Sequence, residues 1–296
     1  MKAALVVNPF ASRVSDERLA AVRKELERAA QLELVLTEKP GHATELVTDA
    51  CRGGAEAVVI FSGDGGFNEA LNGLESDVPI GFLPGGGTSV LSRALGLPRD
   101  PIAAARQVAK ALAARRTRRI SLGRVNGRRF GFAAGVGFPA EVVRRVDALG
   151  RPTDGRRPGD LAFAWAIVRA LADRRGRLEP QLEIEDHGSA VCAFVANGRP
   201  YTYAGALALP IARDAAFDRG LDLIAPVEVA PASLPSVAAR VLSGHASGRR
   251  FLREHDLDRI EIRCEIPLPL HVDGEDLGDV EQAVFEAERL AVSVLV

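Results

Sequence analysis

The chain has 296 residues, 47% of them hydrophobic and 26% charged, which is enough apolar material for a full core and length enough for two domains. Its 38 Lys and Arg against 39 Asp and Glu leave a formal charge of -1, which excludes a global electrostatic attraction to nucleic acid or to anionic lipid. No apolar run is long enough to cross a bilayer, and the opening MKAALVVNPF reads as a first strand rather than a secretory leader.

The predicted elements alternate through the first half. A strand at 3–7 ends in Asn8-Pro9 and is followed by a helix over 16–31, whose apolar residues recur at helical spacing. The same order returns with a strand at 32–37 and a helix at 41–54, then a strand at 57–62 and a helix at 67–74. A strand at 79–84, a glycine-rich turn and helices at 88–96 and 101–116 complete the series. Strand and helix in alternation specify a parallel sheet covered on both faces, an α/β Rossmann-like domain.

Beyond about residue 119 the texture changes. Short β-rich segments bounded by Gly, Pro, Asn or Asp occur at 119–125, 129–137, 181–187, 190–198, 221–228, 258–265 and 269–276, with helices near 139–149, 159–173 and 231–246. A mostly antiparallel β-sandwich is expected there. We place the domains at 1–119 and 120–296, with the extreme C-terminus packing back on the first domain. The Arg- and Gly-rich interval 150–160 reads as a surface loop or as a basic lip for phosphate or anionic headgroups. The helix at 161–171, which holds the only Trp, reads as a core helix or as one wall of an apolar pocket. Cys51, Cys192 and Cys264 are odd in number and lack metal-ligand spacing, as do the five histidines, so reduced thiols in a cytoplasmic protein are expected.

Three loops occupy equivalent places, each at the carboxyl end of a predicted parallel strand and ahead of a helix: 8-NPFAS-12, 62-SGDGG-66 and 84-PGGGTS-89. Ligands bind at that edge of an open α/β sheet, where glycines let backbone N–H groups converge on phosphate oxygens. There is no G-x-x-x-x-G-K-[ST] and no G-x-G-x-x-G after the first strand. Asp64 sits inside such a turn, where its charge would repel a phosphate unless a metal or a proton lay between them, so it reads as a Mg²⁺-linked or proton-handling group. Asp273 and Glu275 flank Gly274, either on an extended segment, where both would share one side of a sheet, or in an ordinary acidic β-turn.

The segment 61-FSGDGGFNEALNGL-74 resembles the G-G-D-G-T-x-N-E signature of the diacylglycerol kinase catalytic-domain family, which takes in bacterial lipid kinases and sphingosine kinases and is distantly similar to NAD kinases. The likeness runs in order along nearly the whole chain. Asn8-Pro9 and Ser12 are similar to the family's first loop, 37-TEKPGHATEL-46 to T-x-x-x-G-x-A, and 83-LPGGGTSVLSRALGLP-98 to L-P-x-G-T-x-N-x-x-A-R-x-L-G-x-P. Further on, 131-GFAAGVGFPAEVV-143, 217-FDRGLDL-223 and 268-LPLHVDGEDLG-278 resemble G-I-G-F-D-A-x-V, D-D-G-x-L-D-V and P-x-x-x-D-G-E.

The resemblance implies a kinase with its active site in an interdomain cleft, transferring the γ-phosphoryl group of ATP, with Mg²⁺, to a hydroxyl of a membrane lipid of the diacylglycerol or sphingoid-base class. It implies that Asn8, Pro9, Ser12, Thr37, Ser62, Gly63, Asp64, Gly65, Gly66, Asn68, Gly86, Gly87 and Thr88 hold the nucleotide. Glu275 matches the family's general base, with Asp64 as a second catalytic group, and Asp218 with the backbone of Leu221 matches a Mg²⁺ site that supports the fold. A cytoplasmic protein peripheral at the inner membrane face follows, with no nucleic-acid partner and with a homodimer left open. Two alternatives stand beside it: a degenerate member that binds nucleotide or lipid with little turnover, and a kinase for a soluble hydroxyl acceptor.

Departures from the pattern concentrate on polar positions. Ser62 replaces the signature's first glycine and Gly66 its threonine; Ser121 and Pro139 stand where aspartates are usual. Gly87-Thr88-Ser89 replaces Thr-x-Asn, and the first loop has Arg13 in place of a lysine.

Overall fold

The structure is a computed structural model that describes residues 1–75, 77–149, 160–174 and 178–296, with the backbone alone at 160, 161, 163 and 164. Most of the 150–160 loop therefore lies outside the described residues. The described residues divide into two compact units, Met1–Ile120 with Leu290–Val296, and 121–149 with the described residues of 160–289.

In the first unit β1 (Lys2–Val7), α1 (Asp16–Leu26), β2 (Gln31–Leu36), α2 (His42–Arg52), β3 (Ala57–Ser62), α3 (Asp64–Gly73), β4 (Ile80–Pro84), α4 (Val90–Ala94) and α5 (Pro101–Ala113) follow one another. β1 pairs in parallel with β2 and β3, and β3 with β4, giving the spatial order β2-β1-β3-β4. The apolar runs in β1, β3 and β4 are buried along almost their whole length, as strands covered on both faces must be. α1 packs on α5 and α2 on α3. Ser15 and Asp100 cap α1 and α5 by accepting from Arg18 and Ala103 N–H, and Pro101 opens α5 where its missing N–H costs nothing. The chain's last residues return to this sheet, with Val294 paired in parallel to Ile80 and Leu295 N–H on the Ile80 carbonyl at 2.9 Å.

β5 (Arg118–Val125) leads into the second unit, where β6 (Arg128–Phe130), β7 (Ala133–Val136), α6 (Phe138–Ala148), α7 (Asp160–Asp173), β8 (Leu182–Ile184), β9 (Gly188–Ala190), β10 (Ala193–Ala196), β11 (Thr202–Ala204), β12 (Leu207–Leu209), β13 (Leu221–Pro226), α8 (Leu234–Leu242), β14 (Phe251–Leu257), β15 (Arg259–Val272) and β16 (Glu275–Val294) follow. Its ladder runs β14-β13-β10-β7-β15-β16, antiparallel at every step. Phe130 and Phe285 meet edge-on in its core, with Val136, Leu223, Ile262 and Val272 buried in the same cluster.

Four strands escape a reading of local pattern. β16 mixes Glu and Ala, which favour helix, with Val, and becomes a strand through its hairpin with β15. The two strands of the β11–β12 hairpin and β14 are the others. α7 buries Ala166 and Ala170 and leaves Trp165 59% and Val168 57% exposed, so this helix shows a small-residue face to the protein and an apolar one to solvent. Among the described residues no helix is long and apolar enough to cross a membrane.

Candidate functional site

Three loops at the carboxyl ends of β1, β3 and β4 are stitched into one body by their own backbones. Asn8 N–H bonds the Phe61 carbonyl at 3.0 Å, Arg13 N–H the Gly85 carbonyl at 2.8 Å, and Gly85 N–H the Ser62 carbonyl at 2.7 Å. Glycine is needed where two loops cross: a Cβ on Gly86 would lie 2.9 Å from Gly63 Cα, and one on Gly85 3.0 Å from the Ser62 backbone. Asn8 Oδ1 accepts from Phe10 N–H at 2.9 Å, which turns the chain sharply after β1. Ser12 is half-buried, and Gly87 and Thr88 are exposed at the tip of the third loop.

Asp64 joins the second loop to the third. Its two carboxylate oxygens accept from Val90 and Leu91 N–H at 2.9 and 3.1 Å, at the start of α4. A carboxylate among glycines thus has a structural cause, since it satisfies donors that a helix start leaves open. Ser89 takes a left-handed backbone there, φ +48°, with its hydroxyl donating to the Gly86 carbonyl at 3.3 Å.

Glu69, four residues after Gly65, performs the matching task for α2. It accepts from Gly41 and Ala43 N–H at 2.8 and 3.1 Å, and its backbone carbonyl accepts from the Thr44 hydroxyl at 2.9 Å. The 41-GHAT-44 segment is thereby fixed to the helix that carries the glycine motif. Asn68 is fully buried in α3, where its side-chain oxygen and its carbonyl accept from Asn72. Thr37 is buried, with its N–H on the Val7 carbonyl at 2.8 Å. The Ser62 side chain lies beneath Gly66, and its hydroxyl is buried without a hydrogen-bond partner.

Beside the first loop the Arg13 guanidinium donates to the Arg99 carbonyl at 3.0 Å, and Arg18 to the Arg13 carbonyl at 3.1 Å. Partial burial and the neighbouring Arg99 and Arg18 charges hold the Arg13 side chain below the ordinary arginine range.

In the second unit Asp273 and Gly274 form the two-residue turn between β15 and β16, both with positive φ, +48° and +81°. They are not on an extended run, and the two acids have different surroundings. Asp273 is buried, and its carboxylate accepts from Gly131, Phe132 and Ala133 N–H at 2.6, 2.9 and 3.2 Å. Glu275 is half-exposed and ion-paired to Arg128 at 3.2 Å. Beside Asp273, buried His271 shares a 3.0 Å hydrogen bond with Tyr201, whose hydroxyl donates to the Ala134 carbonyl at 2.8 Å. Ser121 is buried, with its carbonyl accepting from Asn197 Nδ2 at 2.8 Å, and Pro139 lies in the first turn of α6. Asp218 is exposed, whereas Leu221 is the first residue of β13 and pairs with Leu257.

Residues 2–125 match the family model described as the diacylglycerol kinase catalytic domain. This part of the chain is similar to the diacylglycerol kinase catalytic domain. A diacylglycerol kinase of Bacillus subtilis (strain 168) is 27% identical over 291 residues, 93% of this chain and 89% of that protein. Other relatives match over less of their length: a Streptococcus pneumoniae homologue is 29% identical over 57% of each chain, and a Mycobacterium tuberculosis diacylglycerol kinase 35% identical over 37% of each. Among solved structures, a Bacillus anthracis diacylglycerol kinase aligns with a TM-score of 0.73 at 18% identity, over 99% of this chain and 96% of that one. An Archaeoglobus fulgidus NAD kinase aligns with a TM-score of 0.53 at 14% identity, over 100% and 94%. These two likenesses establish the fold. Within the diacylglycerol kinase family match fall all three loops and the two acids, Asp64 and Glu69, that tie the glycine motif to neighbouring helices.

Proposed function

We propose that the chain is an ATP- and Mg²⁺-dependent lipid kinase that transfers the γ-phosphoryl group to a hydroxyl of a membrane lipid, diacylglycerol or a sphingoid base. The observation that carries this reading is the backbone-linked body of three loops at the carboxyl edge of a parallel sheet, inside the segment that matches the family model. The first unit is the nucleotide-binding part and the second the acceptor-binding part. The loops of Asn8, Pro9 and Ser12, of Ser62 through Gly66, and of Gly86 through Thr88 receive the phosphates through backbone donors, with Thr88 offering an exposed hydroxyl. Thr37 and Asn68 act from buried positions as supports of the nucleotide site. The Archaeoglobus relative in fold was solved with ATP, which supports the choice of nucleotide.

Asp64 is assigned to positioning, because both its oxygens accept from backbone N–H groups. Among the described residues no three His, Cys, Asp or Glu side chains gather into a metal-binding group. The residues present therefore do not form a ready cage for magnesium, and no step is assigned to the ion. Glu275 is the proposed base that takes the proton of the acceptor hydroxyl, while phosphoryl transfer itself asks for positioning and charge neutralisation.

Membrane contact at the inner face is supported by the exposed Trp165 and Val168 on α7, an apolar and aromatic pair suited to a lipid interface. A nucleotide binder with little turnover is a second reading. It is favoured by the Glu275–Arg128 ion pair, which already engages the carboxylate the reaction needs. Purified protein incubated with ATP, Mg²⁺ and a panel of lipids and soluble alcohols tests the proposal. A phosphorylated lipid supports it, and tight ATP binding without any product supports the second reading.

A further inference from the structure

The loop 217-FDRGLDL-223 resembles a Mg²⁺ site through Asp218 and the backbone of Leu221, and the surrounding residues do not fit that role. Asp218 points to solvent, and its carboxylate has no polar partner among the described residues. Asp222, the next acid, is buried and turned the other way: its Oδ1 accepts from His255 Nδ1 at 2.6 Å and from Asp256 N–H at 3.2 Å. His255 is held from its other side by Arg219, at 2.7 Å from Nε2, so the ring donates to Asp222 and accepts from the arginine. The arginine stands where the resemblance has a glycine.

A protein cation lies against this loop instead. β14 bulges opposite Asp222, where the pairing with β13 shifts register, and Asp256 there takes a left-handed backbone with φ +60°. That conformation aims its carboxylate at Gly220 N–H, 2.7 Å away. Arg289, from β16, shares that oxygen and takes two more. Its Nε donates to Asp258 Oδ1 at 2.6 Å, its Nη1 to Asp256 Oδ1 at 2.7 Å, and its Nη2 to the Asp256 carbonyl at 3.1 Å. Two carboxylates and a main-chain carbonyl are the hard oxygen donors that a divalent cation would take. Gly220 is moulded to the guanidinium, since a Cβ there would lie 2.8 Å from Arg289 Nη2 and 2.4 Å from the Leu257 carbonyl.

We propose that Arg289 takes the place of a structural metal in the second unit, its guanidinium holding Asp258 and Asp256, the residue that bonds the β13 entry loop at Gly220, so that the loop binds no divalent cation. The oxygens that Arg289 takes, Asp256 Oδ1, the Asp256 carbonyl and Asp258 Oδ1, are already paired to fixed donors in a planar fork, which an added ion would have to displace. The proposal concerns stability alone and is independent of the phosphoryl-transfer reading.

The test is thermal unfolding of the full chain without nucleotide or lipid, in excess EDTA and in millimolar MgCl2 or CaCl2. The expected result is one Tm in all three solutions, an unchanged Tm for Asp218→Asn, and a Tm lowered by roughly 2–4 °C or more for Arg289→Met. Arg289→Lys keeps the charge and loses the fork, and is expected to lie below the parent while remaining folded if the methionine variant does not fold. The proposal is overturned if EDTA lowers the parent's Tm and Asp218→Asn removes that response, or if both Arg289 variants melt with the parent.

Discussion

The Ser62 side chain fills the volume that a side chain at position 66 would need. A Cβ built on Gly66 lies 2.1 Å from Ser62 Oγ and 2.7 Å from Ser62 Cβ. The two departures from the family signature, a serine for glycine and a glycine for threonine, are therefore one exchange across a strand end and the first turn of its helix.

Gly66→Thr alone should overpack this contact, at a cost of about 1–3 kcal/mol. Ser62→Gly combined with Gly66→Thr should recover most of the loss, giving a coupling of roughly 0.5–3 kcal/mol in a double-mutant cycle read by denaturant unfolding. Additive effects of the two changes would show that the positions do not share space.

Asp64→Ala should lower Tm and weaken ATP binding together, because the N–H groups of Val90 and Leu91 lose their acceptors. The loss expected for such a cap is about 0.5–2 kcal/mol, with Asp64→Asn intermediate because one acceptor oxygen remains. Calorimetric ATP titrations beside melting curves check this. A variant with unchanged Tm and altered Mg²⁺ dependence would mark Asp64 as a metal ligand instead.

Trp165 is the only tryptophan in the chain and is 59% exposed, so its emission reports on α7 directly. Adding lipid vesicles should shift the emission to shorter wavelength, and Val168→Asp should suppress the shift. An unaltered spectrum at saturating lipid would remove α7 from the membrane contact.

Burial pushes the Cys192 thiol up from its ordinary value of 9.0 to about 12 and raises the Tyr201 phenol well above 10.0. Both groups bind protons more tightly folded than unfolded. Their contribution to stability is thus intact below pH 9 for Cys192 and pH 10 for Tyr201, and is lost as pH rises toward the folded values. Tm should fall as pH is raised above 9, less steeply in Cys192→Ala than in the parent. Equal slopes would contradict the burial argument. In the folded chain Cys192 should resist alkylation near neutral pH and react once the protein is unfolded.

The α/β half was legible because β1, β3 and β4 are near-continuous apolar runs and each helix repeats at its own period. The second half was legible in class but not in extent. β16 mixes helix-favouring Glu and Ala with Val and becomes a strand through long-range pairing that composition does not record. The loops of the candidate site could be found from their glycines, whereas the tasks of individual acids could not. Asp64, Glu69 and Asp273 all accept backbone N–H groups from segments 26 or more residues away in sequence, contacts that only the folded chain brings together. Arg289 carries no local signal at all, because its partners lie on the preceding strands.

The most direct test of the kinase account is transfer of labelled γ-phosphate from ATP to diacylglycerol or a sphingoid base in mixed micelles, by the parent and by Glu275→Gln. The account predicts labelled lipid from the parent, and from the variant a rate lower by about 100-fold or more with Tm and ATP affinity retained, since only the proton acceptor is lost. Equal labelling by the two proteins would contradict the role of Glu275, and no labelling of any lipid by the parent would contradict the kinase account itself.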